Sequence, residues 1–195
     1  VFFLLEQVIT APVYLLHCRL DDVIPFCEWF IFPYLSWFGL IPWAMVILLR
    51  RDRTHYFYLC SVLFTGMALC LVFYFLFPNG VALRPETIGR TNLAALLVRG
   101  IWALDSSTNV CPSIHVASTV AILLAVRRSR SWKHRKLTVG ICWSLGALIC
   151  LSTLFLKQHS FIDVVCGIAL TTVLHLIFSH RRFCSPTRLS PSYSV

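Results

Sequence analysis

Four stretches of this chain run for 18 to 22 residues with almost no charge, and they set what it can fold into. Residues 30–49 and 137–156 each give 20 residues without Asp, Glu, Lys or Arg, and residues 56–77 give 22. Residues 161–178 give 18, interrupted only by Asp163 and His175. A helix needs about 20 apolar residues to cross the hydrocarbon core of a bilayer. A fifth stretch, 112–126, is short for a span, but Arg127 and Arg128 behind it can snorkel to the interface. Residues 1–5 read as the tail of a first span. The expected fold is all-α: a polytopic membrane helix bundle with a six-helix core whose first helix is truncated. Residues 1–182 form one membrane-embedded domain, and 183–195 read as a disordered cytoplasmic tail. Pro33, Gly39 and Pro42 predict a kink in the second helix.

Composition removes the rival classes. The chain is 58% hydrophobic and 13% charged, whereas a soluble domain carries about twice that charge. Disordered chains need low hydrophobicity, and a β-barrel needs alternating rather than continuous apolar segments. The net charge of +9 would suggest nucleic acid in a soluble protein. Here no basic helix has a polar face free of membrane, so no nucleic-acid partner is expected.

The charges instead report topology. Of the 17 basic residues, 12 lie in three regions: 50–53, 127–136 and the segment after the last span. Basic-rich and basic-poor loops alternate, and the rich set should be cytoplasmic. The loops at 6–29, 78–111 and 157–160 then share the opposite face. An apolar stretch at 93–98 is too short to span and reads as a helix lying on the membrane surface. Asp21, Asp22 and Glu28 read as a solvated loop on that face. Cys18 and Cys27, in one polar loop, are able to pair in an oxidising compartment. No CxxC motif supports zinc or redox chemistry.

Three short clusters converge on the basic-poor face. Arg84-Pro85 follows the third span. Cys111-Pro112-Ser113-Ile114-His115 opens the fourth. Ser152 to Asp163, containing Lys157-Gln158-His159, crosses from the fifth to the sixth. Pro112 suits the first position of a helix, where its missing N–H costs nothing. The amides of Ser113, Ile114 and His115 would then be free to face an anion, with an imidazole in the same turn. His159 and Asp163 are four residues apart and share a helix face. A carboxylate on one imidazole nitrogen fixes the tautomer and leaves the other as a nucleophile. An ionisable residue at the head of an apolar helix is a functional candidate. Arg84 can clamp phosphate oxygens with its planar fork. His17, His55, His134 and His180 read as interfacial residues, and His175 as a satisfied buried polar group.

In these residues the sequence resembles the type 2 phosphatidic acid phosphatase superfamily. That family's pattern is K-x6-R-P, P-S-G-H and S-R-x5-H-x3-D on a six-helix core. Arg84-Pro85, Pro112-Ser113-Ile114-His115 and Ser152-x6-His159-x3-Asp163 match in order and spacing, and the resemblance covers essentially the whole chain. It implies metal-independent phosphoryl transfer on a lipid phosphate, with no cofactor, through a phosphohistidine. It implies His159 as nucleophile, Asp163 as its orienting partner, His115 as general acid, and Arg84 and Ser113 as phosphate holders. The chain departs from the pattern at Phe77, Ile114 and Thr153, where the family has Lys, Gly and Arg. Two phosphate-binding cations are therefore absent, and Lys157 is the candidate to replace one. The P-S-x-H form and the Arg-less third motif look like the branch of inositol-phosphorylceramide-synthase-like and sphingomyelin-synthase-like transferases.

The expected function is an integral-membrane lipid phosphatase, in the cell membrane, acting on its extracytoplasmic side. A phosphotransferase to a lipid alcohol and a non-catalytic lipid-phosphate-binding protein on the same scaffold remain as alternatives. So does a metal site built from His115, His159 and Asp163, since two histidines and one carboxylate do bind iron.

Overall fold

The computed structural model describes residues 12–179. The expected tail of a first span at 1–5 and the tail at 183–195 lie outside the described residues. Each of the five apolar stretches is a helix. A 3₁₀ turn, Glu28–Phe30, leads into α2 (Ile31–Arg51), and α3 (Arg53–Leu76) follows after the single residue Asp52. Then come α5 (Ile114–Arg128), α6 (Arg135–Phe155) and α7 (Phe161–Ser179). Two smaller helices belong to the loops: α1 (Arg19–Val23) and α4 (Leu93–Leu104). A two-residue parallel pair, β1 (Tyr14–Leu15) with β2 (Asn79–Gly80), joins the first described residues to the end of α3.

Among the described residues, four helices are long and apolar enough to cross a membrane: α2 with its 3₁₀ lead-in, α3, α6 and α7. Their outward faces expose Phe57, Phe64, Phe75, Trp143, Ile168 and Leu176. In water such faces would aggregate; in a bilayer they are the lipid contact. This is an all-α, integral-membrane bundle.

The short fifth stretch has a different reason for its length. With α2, α3, α6 and α7 all packed against it, α5 is the core of the bundle. Val116, Ala117, Ser118, Thr119, Ala121, Ile122, Leu123, Ala125 and Val126 are all buried. A helix surrounded by helices need not match the lipid thickness. Small residues let the neighbours close in, as in other membrane bundles. A Cβ at Gly146 would lie 2.7 Å from Leu123 Cδ1, and one at Gly167 would lie 2.9 Å from the Ser113 carbonyl oxygen. Gly146→Val is therefore expected to destabilise the bundle by about 1–3 kcal/mol, the usual cost of overpacking. Thermal unfolding in detergent measures it.

Side-chain bonds sort the loops to two ends. Asp52 caps α3, accepting from the His55 N–H at 3.2 Å, and also accepts from Ser129 Oγ at 2.7 Å and Ser131 Oγ at 3.1 Å. That ties the two basic-rich loops together. At the other end Arg90 Nη1 donates to both Glu28 carboxylate oxygens at 2.7 and 2.6 Å, and Lys157 Nζ donates to the Asp21 and Ile24 carbonyls at 2.7 and 2.5 Å. The three basic-poor loops meet there, as the charge alternation requires.

One expectation needs correction at that end. Asp21 and Glu28 are buried, not solvated. Each carboxylate is consumed as a clamp between segments. Cys18 and Cys27 are both free thiols. The 93–98 stretch is longer than expected, as α4. Asn92 caps it, accepting from the Ala95 N–H at 2.8 Å. Ala94, Ala95 and Val98 pack on Ile31, Tyr34 and Leu156.

Candidate active site

The N-terminus of α7 positions the first histidine. The run Ser160-Phe161-Ile162-Asp163 is half a capping box: the Asp163 carboxylate reaches back to the Ser160 N–H at 2.8 Å. The same Oδ2 lies 3.3 Å from His159 Nδ1. A helix cap is thus also the orienting group of an imidazole, with the Asp163 side chain fully buried. Asp21, from the distant α1, finishes the cap. Its carboxylate accepts from the Phe161 N–H at 2.8 Å, Ser160 Oγ at 2.7 Å and the Cys18 N–H at 2.8 Å. Burial raises the Asp21 pKa, but these donors outweigh it and hold the carboxyl below its ordinary value.

The chain reaches His159 through a tight turn off α6. Lys157 takes a left-handed φ of 57°. The Gln158 and His159 N–H groups both donate back to the Thr153 carbonyl, at 3.0 and 3.2 Å. Such a turn favours glycine. A lysine is held here because its ammonium is gripped by two carbonyls of the α1 segment. Lys157 is therefore part of the scaffold, with Nζ on backbone oxygens.

The second histidine sits on α5. That helix begins at Ile114, with Ser113 as its N-cap, so Pro112 lies one residue outside the cap instead of at the first helical position. The correction follows from Ser113: its Oγ accepts from the Val116 N–H at 3.4 Å, which a residue already inside the helix would not do. Tyr74 Oη donates to the Pro112 carbonyl at 2.5 Å, and the Ser113 N–H donates to the Asp163 carbonyl at 3.2 Å, fixing α5 against α3 and α7. The His115 ring lies against Trp37 and Tyr34, with centroids 4.3 and 4.9 Å away. Its Nδ1 faces His159 Nε2 at 3.4 Å, and its Nε2 lies 3.0 Å from Tyr34 Oη. Tyr34 Oη in turn donates to Asp105 Oδ2 at 3.2 Å. A line of polar groups therefore runs Asp105, Tyr34, His115, His159, Asp163.

Both histidines open onto a cavity of about 360 Å³. Phe38, Met67, Ile101 and Leu104 form apolar walls, while Tyr34, Asp105, Asn109 and Gln158 gather with the histidines. Of the six residues singled out in the sequence, His115 and His159 line the cavity, and Asp163 stands directly behind His159. Ser113, Lys157 and Arg84 are not on its wall. The Arg84 guanidinium donates to the Trp102 and Asp105 carbonyls at 3.2 and 2.7 Å, and to Gln158 Oε1. Gln158 Nε2 passes the contact on to Asp105 Oδ2 at 3.2 Å. Arg84 thus braces the loop that carries Asp105. Among the described residues, no group of three His, Cys, Asp or Glu side chains converges as a metal site.

Tyr34, Gln158 and the clamping role of Asp21 were not singled out in the sequence, and Asp105 and Asn109 stood out only as polar residues of the loop at 78–111. Tyr34 lies in an apolar run and looks like any aromatic there. Asp105 and Asn109 sit in a long loop whose fold no local pattern predicts. His175, read as satisfied, is so: its Nδ1 lies 2.5 Å from Tyr58 Oη.

A histidine pair, one member buried and backed by a carboxylate, lines a largely apolar cavity in a membrane bundle. Residues 14–177 match the family model of the PAP2 superfamily, and the chain belongs to that superfamily. No curated protein and no solved structure matches it at a significant level. Membership gives a phosphatase-family function connected with lipids.

Proposed function

We propose that this chain hydrolyses a lipid phosphate ester through a phosphohistidine on His159. The supporting observation is the placement of His159, between Asp163 and His115 and open to an apolar cavity. Asp163 keeps the proton on Nδ1, so Nε2 carries the lone pair. That lone pair attacks phosphorus, and the bond from phosphorus to the lipid oxygen breaks. His115 gives its Nδ1 proton to the departing alkoxide, which leaves as a lipid alcohol. Water then attacks phosphorus while His115 takes a proton from the water, and the phosphorus–nitrogen bond breaks with its electron pair returning to His159 Nε2. Phosphate is released, and both histidines return to their starting forms. No metal or cofactor is needed for these steps. Tyr34 and Asp105 support His115 as it cycles between charged and neutral states.

The active end is the basic-poor end of the bundle. By the positive-inside rule it faces away from the cytoplasm, and the cell membrane is the proposed location. Transfer to a lipid alcohol instead of water is a second reading, and the apolar cavity walls favour it. A labelled lipid phosphate, given in EDTA with and without a lipid alcohol, separates the two by product chromatography. Turnover lost in EDTA would overturn the metal-independent mechanism.

Tyr34→Phe tests the support given to His115. It removes one hydroxyl and keeps the ring packing. The expected result is a fall of about 10-fold in kcat with KM nearly unchanged, less than the roughly 10²–10⁴-fold that a general acid itself contributes, because Tyr34 acts through His115. An unchanged kcat would remove Tyr34 from the mechanism.

A further inference from the structure

Asn109 is 2% exposed, and neither Nδ2 nor Oδ1 of its side chain has a hydrogen-bond partner. A buried amide with both ends unpaired is uncommon in a native fold, because desolvation is left uncompensated. This one lines the same cavity as His115 and His159. Its position is not loose. The Asn109 N–H donates to the Asn79 carbonyl at 2.6 Å. Asn79 Oδ1 accepts from the Val110 and Cys111 N–H groups at 3.0 and 2.8 Å, and its Nδ2 donates to the Cys111 carbonyl at 3.0 Å. One asparagine thus pins the loop, and the next lines the cavity from a left-handed backbone, φ 56°, with its amide buried beside it. Asparagine visits this backbone region readily, so the unpaired amide, not the φ angle, is the feature that asks for a partner.

The ligand's chemistry follows from which atoms lack partners. A phosphate oxygen can pair Nδ2, but an ionised phosphate has no proton for Oδ1. A group that satisfies the whole amide presents an acceptor and a donor side by side. A phosphate ester with a hydroxyl or N–H on the neighbouring carbon does this. The apolar walls at Phe38, Met67, Ile101 and Leu104 suit the chain that such a headgroup carries.

We infer that Asn109 is a specificity-determining residue: its amide reads a free hydroxyl or N–H next to the phosphate of the lipid substrate. This rests on the hydrolysis reading for the word substrate, but binding can be measured without turnover. The full chain carrying His159→Ala, in nanodiscs of neutral phospholipid, is titrated with lysophosphatidate and with its 2-O-methyl ether. The two probes differ in the one donor that Oδ1 requires. The free hydroxyl form is expected to bind about 10- to 100-fold more tightly, the range for losing one buried polar pairing. Adding Asn109→Gly, which keeps the left-handed backbone accessible, is expected to bring the two affinities together. Adding Asn109→Asp instead keeps an acceptor, so the preference survives while both lipids bind more weakly beside a second negative charge. Equal binding of the two probes by the His159→Ala chain, no binding of either, or an undiminished preference in the glycine variant would overturn the inference. Turnover of the same lipids by the chain with His159 intact is read separately. Its absence would sink the hydrolysis reading and leave the binding result standing.

Discussion

His159→Ala is expected to abolish turnover of lipid phosphate, with a loss of about 10⁴-fold or more, the scale on which removing a covalent nucleophile acts. Nothing nearby replaces it. His115 has its Nε2 against Tyr34 Oη and no carboxylate on its own Nδ1, whereas His159 has Asp163. A second readout tests the chemistry itself. Wild-type protein quenched during turnover of ³²P-labelled substrate should carry label that is stable in alkali and released by acid, as a phosphoramidate is. His159→Ala should carry none. Turnover that survives in the alanine variant would refute the phosphohistidine mechanism, whatever the substrate.

Asp21→Ala is expected to have the largest effect on stability. The carboxylate takes three donors, from Ser160 Oγ and the N–H groups of Phe161 and Cys18, and all are left without it. Leaving a buried donor without its acceptor costs about 1–3 kcal/mol, so the loss of three is expected to cost a few kcal/mol in all. The start of α7, which holds Asp163 and His159, loosens with it, so activity should fall in parallel. Thermal unfolding in detergent and turnover in the same preparation measure both. The sign of the pH effect is fixed. Asp21 is held below its ordinary value, so its stabilisation is fully present above about pH 4 and is lost as pH falls through the folded pKa. The gap in stability between wild type and Asp21→Asn should therefore be constant near neutrality and close in acid. A gap that widened in acid would contradict the clamp.

The lack of a cation on the cavity wall bears on rate. The family pattern has a Lys and an Arg where this chain has Phe77 and Thr153. Arg84 and Lys157 are the nearest cations in the motif segments, and both are spent on holding loops. Each missing charged contact costs transition-state stabilisation, so slow turnover is the expected behaviour.

Periodicity was not needed to read the helices of this chain. Runs of 18 to 22 apolar residues have one solution in lipid, because every backbone N–H and C=O must be paired within the segment. The charge alternation placed the three active-end loops together for the same reason: a span leaves its ends on opposite sides. The spacing of His159 and Asp163 pointed to their contact, but not through a shared helix face: His159 lies two residues before α7, and Asp163 reaches it by folding back over the start of that helix. What the tertiary structure decided is which polar groups remain available to a ligand. Lys157, Arg84 and Ser113 each look free in sequence, and each makes contacts that no local pattern reveals: with the α1 carbonyls, with Gln158 and the loop carbonyls, and with the first turn of α5. Tyr34 and Asp105 lie 71 residues apart, and Tyr34 and His115 lie 81 apart. Contacts at such separations depend on how α2 and the 105–111 loop pack on α5. That packing arises from shape and volume in the bundle core, which the order of residues along the chain does not display.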